Sequence, residues 1–217
     1  MSKKILIAVP CMDMVSARFA SSLATLKKGV GDCIVSFIIG SLVYDSRNRL
    51  AEYAVRINAD YILWLDSDMT FPPDVLERMM KVMDEHDDID ILTGLYFRRS
   101  TPFTPVAFEV LETDEKGELV FENMDEIPDG IREVAGCGFG CVLMKTDCLF
   151  DIAGQEGPVW FSPLANVGED CAFCMRARKY GYKIYIDPSI EFGHMGYAAV
   201  TRGFYEATKG GQIDGTN

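Results

Sequence analysis

Asp66-Ser67-Asp68 places two carboxylates one residue apart, directly after the apolar run Tyr61-Ile-Leu-Trp-Leu65. Hard divalent cations such as Mg2+ and Mn2+ take oxygen ligands and share their coordination with waters and substrate phosphates. Two strand-end carboxylates suit that task, because they leave positions open for a nucleoside diphosphate whose charge the cation offsets as a bond breaks. The competing reading is a polar loop in which one Asp caps the next helix. Further along, Glu169-Asp170 opens a helical segment, and His194 follows between Gly193 and Met195. A carboxylate in the first turn of a helix is stabilised in its charged form and ready to accept a proton, with helix capping as its structural alternative.

The elements that must position these groups follow from periodicity. A strand is predicted near Lys4 to Val9, a helix near Ser16 to Lys28 and a strand near Cys33 to Ile39. Ser46 caps a predicted helix in which Arg47 and Asn48 form the first turn and Leu50, Ala54 and Ile57 the apolar face. The strand Tyr61 to Leu65 follows, then a helix opened by Pro73 and Asp74, then a strand at Ile89 to Leu92. This alternation is that of an α/β protein. After Leu95 the pattern becomes a hairpin turning at Asp114 to Gly117, a Gly-containing strand at Glu133 to Met144, a helix at Glu169 to Tyr180 stopped by Gly181, and short strands at Lys183 to Ile186 and Ile190 to Phe192. Residues 1–207 are read as one domain and 208–217 as a flexible polar tail.

Composition bounds the functions available. The chain has 217 residues, enough for a sizeable core, with 48% hydrophobic and 25% charged residues. Twenty-one basic against 33 acidic residues give a net charge of −12, which argues against extensive nucleic-acid binding or attraction to anionic lipid. The longest apolar stretch, Cys33 to Tyr44, is too short and too interrupted to cross a bilayer, and Met1-Ser-Lys-Lys4 runs straight into a strand without a signal peptide, so a cytoplasmic protein is expected. The seven cysteines are then reduced thiols. Cys137 and Cys141, with Cys171 and Cys174, read as small buried hydrophobes ahead of zinc ligands, because the second pair falls inside a helix without a knuckle glycine.

Together these segments resemble the GT-A fold glycosyltransferases, especially the family-two type. The resemblance runs over residues 3 to 196, through Ala8-Val9-Pro10, Ser46-Arg-Asn-Arg-Leu-Ala51, Asp60 to Asp68, Gly168-Glu-Asp170 and Gly193-His194. It implies a single GT-A-like domain with a Rossmann-like mixed sheet and flanking helices. It also implies transfer of a sugar from a nucleoside diphosphate sugar, uridine ahead of guanosine, to an unidentified hydroxyl acceptor, with Mn2+ or Mg2+. Asp66 and Asp68 inherit the metal role, and His194 resembles a third ligand supplied by a C-terminal loop. Asp170 stands where inverting members carry the base, with Glu169 beside it. Pro10, Asp13, Arg47, Asn48 and Ser67 are expected on the donor. Gly138, in Gly136-Cys-Gly-Phe-Gly140, either lets backbone approach the donor sugar or marks a crowded strand. The Arg-Asn segment is also similar to mannan-polymerase-like relatives, which retain configuration.

Two rival readings remain at the level of sequence. Leu63-Trp-Leu-Asp-Ser-Asp-Met-Thr70 also fits the opening of haloacid dehalogenase-like phosphatases, with Asp66 as nucleophile, Asp68 as acid, and Thr93 and Lys145 as later parts. A catalytically silent sugar-nucleotide-binding module is the other. Arg98 and Arg99 read first as solvated charge, in a loop also able to reach phosphate or acceptor, and His86 sits in an acidic run that reads as solvent-facing.

Overall fold

In the computed structural model, which describes residues 2–40, 42–100, 103–164 and 167–196, the chain winds around one mixed sheet. The predicted 208–217 tail lies outside the described residues. The first half alternates β1 (Lys4–Cys11), α1 (Ala17–Thr25), β2 (Asp32–Ile39), α2 (Val43–Arg56), β3 (Tyr61–Leu65), the two-residue β4 (Met69–Thr70), α3 (Val75–Glu85) and β5 (Ile91–Leu95). The second half adds the hairpin β6 (Ala107–Thr113) and β7 (Leu119–Asn123), then β8 (Arg132–Val134), β9 (Gly136–Cys137), β10 (Cys141–Lys145), α4 (Asp147–Glu156), α5 (Glu169–Lys179), β11 (Ile184–Glu191) and β12 (Gly193–His194).

The main sheet has the order β2-β1-β3-β10-β5-β11-β8, with β10 inserted antiparallel between β3 and β5. Side-chain alternation along the central strands sorts the core into two layers. Ile5, Ile7, Val9, Leu63 and Leu65 pack with Phe19 of α1 and Val75, Leu76 and Met79 of α3. Leu6, Ala8, Ile62 and Trp64 pack with Leu50, Ala51 and Ala54 of α2, Leu149 of α4 and Phe173 of α5. Both faces of the sheet are therefore covered, which explains why β3 reads as an unbroken apolar run.

Three details differ from the sequence reading. Helix α2 begins at Val43, so Ser46 is not its cap, and Arg47 and Asn48 lie beyond its first residues. The predicted strand Glu133 to Met144 is three short strands in two sheets, β8 and β10 in the main sheet and β9 against β6. The two predicted strands after Lys183 are one, β11, whose register slips against β5 between Asp187 and Glu191. The cysteines are free thiols; Cys137, Cys141 and Cys174 are buried and Cys171 is half-buried.

Candidate active site

Asp66 emerges from β3 into a turn pinned by backbone hydrogen bonds. Its N–H donates to the Gly140 carbonyl at 3.0 Å, and the Met69 N–H donates back to the Asp66 carbonyl at 3.1 Å. Beyond the turn, β4 pairs with β12, Met69 opposite His194 and Thr70 opposite Gly193. A side chain at position 193 would run into Thr70, so this ribbon needs its glycine. The Met195 N–H closes the strap by donating to the Asp68 carbonyl at 2.9 Å.

This ribbon brings His194 Nε2 to 3.6 Å from Asp68 Oδ2, while Nδ1 lies 2.8 Å from the Phe97 carbonyl oxygen. A carbonyl only accepts, so Nδ1 carries a proton and Nε2 is the nitrogen turned to the carboxylate. Metal-ligating imidazoles are fixed in this way, with the other ring N–H on a carbonyl or carboxylate. Arg99 Nη1 donates to the same Asp68 Oδ2 at 2.7 Å. Burial works against the charge of Asp68, but His194 and Arg99 outweigh it and hold the carboxyl below its usual value. Burial likewise opposes the imidazolium, yet Asp68 and the Phe97 carbonyl raise the His194 pKa.

Arg47 gathers the other acidic residues. Only 2% exposed, it donates through Nη2 to Asp66 Oδ1 and Oδ2 at 3.1 and 3.3 Å, and through Nη1 to the Phe139 carbonyl at 3.2 Å. The same guanidinium lies 3.5 Å from Asp170 Oδ1 and 3.6 Å from Glu169 Oε1. The rings of Phe139 and Phe161 stand 5.5 and 5.8 Å away, walls that keep water off and strengthen these attractions. Burial works against the Arg47 charge, but Asp66, Asp170 and Glu169 outweigh it and raise its pKa. Burial pushes Asp66 up to about 6 against the pull of Arg47, with Asp170 and Asp68 adding to the rise. Glu169 is pushed up to about 7 by burial and the adjacent Asp170, partly offset by Arg47.

Asp170 Oδ2 accepts the Phe139 N–H at 3.1 Å, while Oδ1 is buried toward Arg47 with no hydrogen-bond partner among the described residues. Asn48 faces inward as well, with Oδ1 accepting the Phe161 N–H at 2.8 Å, so it anchors the loop that leads to Glu169. Arg47 and Asn48 thus both bond protein groups in the structure. Gly138 is buried, and a side chain there would meet the Tyr96 hydroxyl and Val106. Its glycine makes room for packing, and the Gly140 N–H donates to the same Tyr96 Oη at 3.2 Å. Tyr96, which no spacing in the sequence singled out, packs its ring edge-on to His194 at 5.5 Å.

Two cavities flank the Asp66-Ser67-Asp68 turn. One, about 740 Å³, is lined by Ser16, Arg18, Ser67, Asp68, Arg99 and His194 among others. The other, about 180 Å³, lies between Pro10, Met12, Val43 and the turn itself. Pro10 and Ser67 are therefore placed at the site, whereas Asp13 is exposed just beyond β1 and lines neither cavity. His86 is exposed, as expected.

Among the described residues no three His, Cys, Asp or Glu side chains form a complete metal cage. The Asp68 and His194 pair nonetheless fits Mn2+ or Mg2+, since one carboxylate oxygen and one oriented imidazole nitrogen leave the remaining positions to a diphosphate and water. Asp66 presents both carboxylate oxygens to Arg47 in this conformation.

Residues 44–140 match the family model described as glycosyl transferase family 2. No curated protein matches the chain in sequence. Among solved structures, A197 from STIV is similar with a TM-score of 0.58 and 20% identity, over 89% of this chain and 86% of that one. GalNAc-T7, solved with UDP, GalNAc and Mn2+, is similar with a TM-score of 0.60 and 10% identity, over 93% of this chain and 45% of that one. At these identities the likeness to solved structures is one of fold, and the chain spans less than half of GalNAc-T7. No described helix is long and apolar enough to cross a membrane. The architecture is GT-A-like, and the segment that resembles the glycosyl transferase family 2 lies within it.

Proposed function

We propose that the chain transfers a sugar from a nucleoside diphosphate sugar, bound with Mn2+ or Mg2+, to a hydroxyl acceptor, and inverts the anomeric carbon with Asp170 as base. The observation that carries this reading is the convergence of His194 Nε2 and Arg99 on one oxygen of Asp68, beside a turn whose other carboxylate shares Arg47 with Asp170. The UDP, GalNAc and Mn2+ of the GalNAc-T7 structure support a divalent metal and favour a uridine donor over a guanosine one.

Asp68 and His194 would hold the metal, which when bound offsets the charge of the departing diphosphate. Asp170 does the proton work. The acceptor oxygen forms the new bond to the anomeric carbon as the bond from that carbon to the diphosphate oxygen breaks, and the acceptor proton passes to the Asp170 carboxylate. The nucleoside diphosphate leaves with the bonding pair. The Phe139 N–H on Oδ2 and the Arg47 guanidinium 3.5 Å from Oδ1 fix the attitude of the carboxylate, as a positioned base requires. Arg47 is a positioning residue, setting the attitude of Asp170 and Asp66 from behind, and Glu169 shares it.

The phosphatase reading fits these groups poorly. Both oxygens of Asp66 face Arg47, and Lys145 pairs with Tyr61 at the opposite end of β3, about 16 Å of strand away from Asp66. A panel of UDP- and GDP-sugars with Mn2+ and with Mg2+ tests the proposal. Sugar transfer or slow donor hydrolysis supports it; phosphomonoester hydrolysis, or saturable binding without turnover, contradicts it.

A further inference from the structure

We infer that Arg99 is a cation placeholder at the metal position, one that keeps a lone divalent ion out of the site and moves to the diphosphate when metal and nucleotide arrive together. The inference rests on the proposed metal role of Asp68. Its basis is that two cationic groups approach one carboxylate oxygen: Arg99 Nη1 at 2.7 Å and His194 Nε2 at 3.6 Å, both on Asp68 Oδ2. An imidazole needs no arginine beside it to satisfy a single oxygen, and adjacent like charges repel. A full positive charge placed there costs affinity for a free divalent cation but favours a metal diphosphate, whose net charge is negative.

The surroundings let Arg99 act in both positions. Its side chain is half exposed, so its guanidinium can leave Asp68 without opening the core. Its stem runs past Gly196, where an added side-chain carbon would come within 3.4 to 3.6 Å of Arg99 Cβ, Cγ and Cδ. The guanidinium also lines the 740 Å³ cavity that Asp68, His194, Ser67 and Arg18 share. A swing about the outer torsions of the side chain is enough to exchange the carboxylate for a phosphate in that cavity. Metal and nucleotide binding are thereby coupled, each easing the entry of the other, and coupling of this kind is reciprocal.

The test measures binding and needs no turnover. Mn2+ affinity is measured by electron paramagnetic resonance without nucleotide, and then pyrophosphate and UDP affinities are measured by calorimetry with saturating Mn2+. The proteins are wild type, Arg99→Ala, and Arg99→Gln, which keeps the stem beside Gly196. Both variants are expected to bind Mn2+ alone about 5-fold or more tightly than wild type, and to bind pyrophosphate and UDP with Mn2+ about 5-fold or more weakly. Unchanged or weaker binding of Mn2+ alone by both variants overturns the placeholder. Asp68→Asn serves as the control: if it binds Mn2+ as well as wild type, the metal role of Asp68 fails, and the inference fails with it.

Discussion

His194 faces Asp68 across a ribbon of two-residue strands, and the Phe97 carbonyl fixes which ring nitrogen it presents. Metal binding must displace any proton on Nε2. His194→Ala is therefore expected to weaken Mn2+ binding about 10-fold or more. Wild-type binding near neutral pH should release more protons than binding by the variant, which calorimetry in buffers of different ionisation enthalpy measures. Equal proton release in the two proteins contradicts the ligand role.

Arg47 has a structural consequence that activity assays alone would miss. Removing a buried partner from an ion cluster leaves uncompensated charge in the interior, at a cost of about 3–5 kcal/mol. Arg47→Met should lose about that much stability in urea unfolding, and Arg47→Lys should lose much of it, because an ammonium cannot reach Asp66, Asp170, Glu169 and the Phe139 carbonyl together. A change below about 1 kcal/mol in the Met variant would show that the cluster is dispensable.

The raised pKa of Glu169 sets the sign of a pH effect. Its carboxyl moves from an ordinary 4.5 to about 7 on folding, so between those values the folded state holds a proton that the unfolded state has lost. Stability from this group is greatest below pH 4.5 and falls as pH rises toward 7. Glu169→Gln should be stabilised relative to wild type at pH 8 and lose that advantage at pH 5. Parallel stability curves for the two proteins contradict the assignment.

The sequence carried the central strands and the carboxylate motif because both are local: Tyr61–Leu65 is apolar along its whole length, and Asp66 and Asp68 follow immediately. It did not carry the burial of Arg47, since a charged residue on an amphipathic helix reads as surface and its partners Asp66, Glu169 and Asp170 lie far along the chain. Gly138 was open for a similar reason, its neighbour Tyr96 being brought in by β5. The strand predicted over residues 133 to 144 divides into β8, β9 and β10 because they pair with β11, β6 and β3 in turn, which local sequence does not specify.

Asp170→Asn keeps the size and much of the hydrogen bonding of the wild-type side chain but cannot take a proton. It should bind donor almost normally and lose transfer by about 10²- to 10⁴-fold. The anomeric coupling constant of the product, read by NMR, should report inversion. Retained configuration, or transfer near the wild-type rate, removes Asp170 as the base and favours the retaining relatives.

The measurement closest to the central claim is calorimetric titration of UDP into wild type and Asp68→Asn, each with and without saturating Mn2+. Wild type is predicted to bind UDP at least about 10-fold more tightly with Mn2+, and Asp68→Asn to lose that gain while its circular dichroism spectrum stays unchanged. Equal Mn2+-dependent affinity in the two proteins contradicts the account.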